Sequence, residues 1–199
     1  MGLPLPRLAL QRRGASYPGA DYGGSETARA RRQPALRLVS RPAWGAARAK
    51  GRPRIQPGEA RGVAVHYSGM NADEQRLHRN CAARVRAMQR FHMQTRGWLD
   101  IAYNHIFCRH GYVFVGRGFG ARSAANGTAD ANNHYFAICF LGDDSVGRAD
   151  VTPEARRVLR QLIAEYRRRY PKAREVRPHS DFVATQCPGD ELRTLISGL

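Results

Sequence analysis

The run from Tyr135 to Leu141, YFAICFL, is the longest uninterrupted apolar stretch in the chain. It is far shorter than the ~20 residues a membrane-spanning helix requires, and its length suits a strand buried in a sheet. It is therefore read as the central strand, and the remaining elements are placed around it. VAVHYSG (63–69) is a second short apolar run, ended by Ser-Gly, so a buried strand delivers His66 to its end. Ile101 to Cys108 and Tyr112 to Val115 flank the turn signal His110-Gly111 and predict a hairpin. CAARVRAMQRFHM (81–93) carries apolar residues at 81, 85, 88 and 91, close to helical spacing, and Gly97 stops that helix. Thr152-Pro153 opens another helix with an N-cap and a first-turn proline. Its inner face is Ala155, Val158, Leu159, Leu162, Ile163 and Tyr166, and its outer face is arginine-rich. Val176 to His179 reads as extended and Gly189 to Ile196 as a terminal helix. Gly116 to Asn133, rich in Gly, Ala, Asn and Ser, reads as a long irregular surface loop. Strands and helices mix without strict alternation, which predicts a three-layer α/β domain.

Charge bears on partners more than on fold. The 199 residues hold 33 Lys+Arg and 16 Asp+Glu, a formal net charge of +17. Nearly all the cations are arginine; Lys50 and Lys172 are the only lysines. Such a chain is attracted to polyanions, whether nucleic acid, an anionic membrane or an anionic cell wall. No C₂H₂ pattern, RNP aromatic motif or KH-type loop accompanies the charge, so no specific nucleic-acid partner is expected. Residues 1–37 lack periodicity and are read as a disordered, Arg-rich tail ahead of a single domain at 38–199. The first residues, interrupted by Pro4, Pro6 and Arg7, do not read as a secretory signal, so synthesis in the cytoplasm is expected. Four cysteines in 199 residues exclude a disulfide-dense miniprotein.

His66 closes a strand, and His179 precedes Cys187 by eight positions. Two imidazoles and a thiolate suit tetrahedral Zn²⁺ and leave a fourth position for water. Spacing alone does not single this trio out among seven histidines.

Five segments occur in order: VAVHYSG, HMQTRGWLDIAYNHIF (92–107), GYVFVGRG (111–118), YFAICFLGD (135–143) and HSDFVATQCPGDEL (179–192). Together they resemble the type 2 N-acetylmuramoyl-L-alanine amidase and peptidoglycan recognition protein family, which includes phage lysins. The likeness runs from about Leu38 to Leu199. It implies a mixed central β-sheet flanked by helices, with a groove for peptidoglycan. It places zinc ligands at His66, His179 and Cys187, a catalytic tyrosine at Tyr103, and a second catalytic hydroxyl at Thr185. Members that only recognise peptidoglycan commonly lack the ligand cysteine, so its presence favours a hydrolase over a non-catalytic binding module. The implied reaction is cleavage of the amide between N-acetylmuramic acid and L-alanine. No H-E-x-x-H helix supplies a carboxylate, so proton handling or oxyanion stabilisation must fall to other groups, and the candidates the resemblance offers are the hydroxyls of Tyr103 and Thr185.

Further expectations concern neighbouring residues. Asn104, beside Tyr103, is a candidate substrate contact. Asp181 either orients a ligand imidazole or caps the following turn, with the structural role preferred. Trp44, Trp98 and His92 are expected to be structural. Cys81 matches the second cysteine of a family disulfide whose first position here is Gln75, so that bridge is absent, and Cys108 and Cys139 are expected as buried free thiols. The family's Gly-Ala-His step is missing; the loop reads Ser123-Ala124-Ala125-Asn126-Gly127. The resulting expectation is a monomeric, endolysin-like enzyme that reaches the wall after membrane permeabilisation and touches anionic wall polymers or membrane nonspecifically.

Overall fold

The computed structural model describes residues 34–69, 77–144 and 151–199. The expected tail lies, as far as residue 33, outside the described residues. Ala35–Leu199 forms one compact unit.

Among the described residues, six strands form one mixed sheet: β1 (Arg37–Val39), β2 (Gly62–Tyr67), β3 (His105–Cys108), β4 (Tyr112–Val115), β5 (Tyr135–Leu141) and β6 (Glu175–Pro178). Their spatial order is β1-β4-β3-β5-β2-β6. β5 is central, as its unbroken apolar run predicts, and pairs in parallel with both β2 and β3. β2 pairs in parallel with the edge strand β6, while β3 and β4 form the predicted antiparallel hairpin.

Alternation along the strands sorts side chains onto two faces. Val63, Val65, Phe107, Val113, Phe136, Ile138 and Phe140 pack under α4 (Pro153–Arg169) and α5 (Asp190–Ser197). The inner face of α4 is the one read from the sequence, and the hydroxyl of Thr152 accepts from Ala155 N at 3.2 Å as its N-cap. Ile106, Cys108, Phe114, Cys139 and Leu141 face the other way, against Trp44 of α1 (Arg41–Trp44) and Cys81, Val85 and Met88 of α2 (His78–Arg90). The three-layer α/β expectation holds.

Three local readings change. The 81–93 helix starts at His78 and its last turn widens into a π-turn over Phe91–Thr95. The first strand of the hairpin begins at His105 rather than Ile101, because residues 100–103 are held in an irregular turn. The segment expected as a surface loop over 116–133 is largely internal: Arg117, Ala121, Ser123 and Asn126 are buried, and its end forms α3 (Ala129–His134). Thr128 caps that helix by accepting from Ala131 N at 3.1 Å.

Candidate active site

The register of two parallel strands builds the site. Val65 of β2 faces Pro178 of β6, so the next positions, His66 and His179, emerge side by side at the strand ends. The parallel pairing puts them on the sheet face opposite α4, beside Cys139 of β5, which pairs with His66. Their ring centroids are 4.4 Å apart. After a short 3₁₀ turn (His179–Asp181) the chain returns Cys187 to the same point, with its Sγ 3.8 Å from His66 Nδ1. The donor atoms of His66, His179 and Cys187 all lie within 4.8 Å of one another.

The return loop is tied in place. Ser180 N donates to Cys187 O at 3.1 Å, and Cys187 N donates to the Thr185 hydroxyl at 3.2 Å. The backbone N–H of Tyr67 donates to Cys187 Sγ at 3.4 Å, a contact that suits a thiolate. His66 and Cys187 are buried, His179 and Tyr103 are half-buried, and Thr185 is exposed, so the cluster opens on one side.

The donor set fits a divalent cation. His179 Nε2 is buried with no hydrogen-bond partner, a cost of about 1–3 kcal/mol unless something else satisfies its lone pair. Burial, then the neighbouring His179, holds the His66 imidazole neutral, its pKa lowered to about 3. Burial lowers His179 as well and pushes the Cys187 thiol up to about 11. Neutral imidazoles are the ligating form, and a metal would displace the thiol proton.

The tautomer of His66 is set by a residue that sequence reasoning passed over. His66 Nε2 lies 2.9 Å from Asn126 Oδ1. The Asn126 amide nitrogen faces Ser123 Oγ at 3.0 Å, Ala131 O at 3.0 Å and Tyr135 O at 2.9 Å, so it must be the donor end. Oδ1 therefore accepts from His66 Nε2–H, and the Nδ1 lone pair is left aimed at the cluster. This buried asparagine lies in the same Ser123–Gly127 stretch where the family step is missing.

Tyr103 stands edge-on to His66, with ring centroids 5.3 Å apart. Burial, then the nearby Cys139 and Cys187 thiols, raises its phenol well above the ordinary value, so it stays a proton donor. Its turn is fastened from several sides. Arg117 N donates to Tyr103 O at 2.9 Å, and Arg117 Nε donates to Ile101 O at 2.6 Å. Asp100 accepts from Arg41 at 2.8 Å and from Gln89 at 2.7 Å. Gly116 has to be glycine: a Cβ there would lie 2.3 Å from Tyr103 O. His92 Nδ1 accepts from Ala102 N at 3.1 Å and its ring stacks on Trp98 at 5.0 Å, which matches its expected structural role. Trp44 is fully buried and donates to Val115 O, as a core residue. Asp181 pairs with Arg177 at 3.4 Å.

Asn104 is a correction. It is fully buried, and its amide donates to Gly118 O and Ala121 O and accepts from Ala137 N. All its polar capacity goes to stitching the loop to β5, and none faces the site.

The family profile described as N-acetylmuramoyl-L-alanine amidase (Amidase_2) matches residues 56–190, which include every residue of the cluster. The chain belongs to this family. Human N-acetylmuramoyl-L-alanine amidase is 33% identical over 159 residues, covering 77% of this chain and 26% of that protein. Peptidoglycan recognition protein 1 of Bos indicus is 29% identical over 160 residues, covering 80% of this chain and 82% of the relative. The chain thus spans about a quarter of the length of the human amidase it matches and most of the recognition protein. Wild-type Drosophila PGRP-LB superposes with a TM-score of 0.71 at 32% identity, covering 81% of this chain and 92% of the other. A mutant of that protein in complex with tracheal cytotoxin gives a TM-score of 0.72 at 30% identity, covering 80% and 92%. The six-stranded sheet of this amidase-family chain is therefore the fold of the peptidoglycan recognition proteins.

Proposed function

We propose that the chain is a zinc-dependent peptidoglycan hydrolase that cuts the amide between the lactyl group of N-acetylmuramic acid and L-alanine of the stem peptide. The observation that carries this reading is the convergence of three metal-compatible donors, one of them the partnerless His179 Nε2, beside the Tyr103 phenol. His66, His179 and Cys187 would hold the ion. Once bound, zinc would supply Lewis acidity, activating water as a nucleophile and polarising the amide carbonyl.

The chain's own groups account for the rest. Asn126 holds His66 in the ligating tautomer. Tyr103, neutral and fixed on a rigid turn, donates a hydrogen bond to the carbonyl oxygen as negative charge builds there. Thr185 offers a second hydroxyl on the exposed side, oriented by the hydrogen bond it accepts from Cys187 N. The +17 charge attracts anionic wall polymers and supports a lytic, endolysin-like action on bacterial walls.

A second reading, a module that binds peptidoglycan without cutting it, is favoured by the recognition proteins among the relatives. The thiol at Cys187 favours hydrolysis, because a site meant only to bind sugar and peptide has no use for a buried metal-ligating sulfur. Digestion of purified peptidoglycan followed by mass spectrometry decides between them. Hydrolysis yields glycan lacking stem peptides and peptides with a new N-terminal alanine, and both disappear after chelation. Retention on peptidoglycan with no such products would leave only the binding module.

A further inference from the structure

A second cluster of metal-compatible side chains lies on the same sheet face but at a different place in the fold. His78 and Cys81 stand one turn apart at the start of α2, on one face of the helix. Cys108 ends β3, and His110 sits in the β3–β4 turn. The donor atoms of these four residues all lie within 4.8 Å of one another. Cys81 Sγ is 3.7 Å from His110 Nδ1, and Cys108 Sγ is 3.9 Å from His78 Nδ1.

These separations have a physical reference. With Zn–S near 2.3 Å and Zn–N near 2.0–2.1 Å, a tetrahedral angle puts sulfur and nitrogen about 3.6 Å apart. The observed distances need to contract by only about 0.1–0.3 Å to meet that edge length. Both sulfurs are fully buried in the apolar cluster that includes Trp44, Val85 and Phe114. The His78 ring is held stacked on Tyr112, with centroids 3.8 Å apart. Two thiolates and two neutral imidazoles around a divalent ion give a formally neutral unit, which an apolar interior tolerates.

We propose that His78, Cys81, Cys108 and His110 form a second metal site, a closed Cys₂His₂ zinc centre that fastens the start of α2 to the β3–β4 hairpin. Four protein ligands leave no position for water, so this centre is structural, whereas the three-donor cluster at His66 keeps one position open. The ion does the work of a covalent staple between two elements that otherwise meet through apolar contact. Cys81 and Cys108 are both free cysteines, so both thiols are available for this ligation. The proposal does not depend on the hydrolase reading, because it involves none of the same residues.

Elemental analysis of the full chain, purified without chelator, tests it together with cobalt substitution. A Cys187→Ser variant isolates the second centre: it should keep one zinc per chain, and its cobalt form should show the thiolate charge-transfer bands of a two-sulfur tetrahedral site. Cys81→Ser and Cys108→Ser should each lose that metal. His110→Ala, which leaves the core untouched, should release it at least tenfold faster to a competing chelator. In the wild-type chain Cys81 and Cys108 should resist alkylation until a chelator is added. A metal-free Cys187→Ser protein overturns the proposal even if the other cysteine variants fail to fold. So does a Cys81–Cys108 disulfide in the non-reduced peptide map.

Discussion

The Asn126 contact allows a quantitative test of the site's construction. Asn126→Leu keeps the approximate shape of a fully buried side chain but removes the acceptor 2.9 Å from His66 Nε2. The buried Nε2–H is then unpaired, at a cost of about 1–3 kcal/mol, or the ring moves its proton to Nδ1, where it blocks the lone pair facing Cys187. Partners that fix a ligand imidazole are worth roughly 10–100-fold in metal affinity, about 1.4–2.8 kcal/mol. The two magnitudes agree, so zinc affinity should fall by one to two orders of magnitude. Competition against a chelator measures that loss. Nitrogen NMR of the metal-free protein reads the tautomer directly, with protonation at Nε2 in the wild type. The substitution also removes the amide's hydrogen bonds to Ala131 O and Tyr135 O, which lowers the melting temperature of the metal-free protein. A variant that melts lower yet binds zinc within about twofold of wild type would make Asn126 a loop brace and refute the argument.

Tyr103→Phe removes only the hydroxyl from a ring packed beside His66; turnover of a soluble muropeptide should fall by ~10²–10³ while zinc content and melting temperature hold. Burial, then Arg169, holds His105 at about 3, so below its ordinary 6.5 the unfolded chain takes up a proton that the folded chain refuses. Its contribution to stability is thus complete above pH 6.5 and is lost as pH falls towards 3. Denaturant titration should show wild type losing about 2 kcal/mol more than His105→Gln between pH 6.5 and 5. Asp144 Oδ2 accepts from Leu192 N at 2.7 Å and caps α5, whose own N-cap Gly189 has no side chain to offer. Asp144→Ala should therefore cost about 0.5–2 kcal/mol, measured by the same titration.

Much of this was legible because it is local or because it is repeated along the chain. The buried strand 135–141, the Thr152 cap and the apolar face of α4 follow from patterns that span a few residues. The 116–133 segment does not. Its Gly, Ala, Asn and Ser residues look like exposed loop because several of the partners that hold them inside lie elsewhere in sequence: Asn104 for Gly118 and Ala121, and His66 for the Asn126 carbonyl. Thr128, one residue after Gly127 and followed by Asp130, was a readable cap signal for α3. Asn104 misled for a different reason. Adjacency to Tyr103 suggested a shared role, but its amide is wholly engaged by backbone groups of the loop and β5. The four-residue His78 cluster was invisible because half of it comes from a helix and half from a hairpin turn, and neither spacing alone resembles a metal motif.

The architecture also explains why so long a domain serves so few reactive atoms. His66 and His179 are 113 positions apart in sequence and meet only if β6 pairs with β2 in one register. Among the described residues, β6 is a four-residue edge strand whose only strand neighbour is β2. Its close approach depends on Gly62, where a Cβ would sit 2.2 Å from Glu175 O. Because side chains alternate along a strand, a slip of one residue would turn His179 away from His66 altogether. A metal held by both histidines and by Cys187 on the return loop would bind only the correct pairing, so its binding energy would also stabilise the edge strand. Tyr103 needs no such help. It sits between Asp100 and Arg117, whose hydrogen bonds to Arg41, Gln89 and the Ile101 and Tyr103 carbonyls fix its turn whether or not metal is bound. The site thus joins a rigid half, preorganised by polar contacts, to a half whose register a bound metal would select.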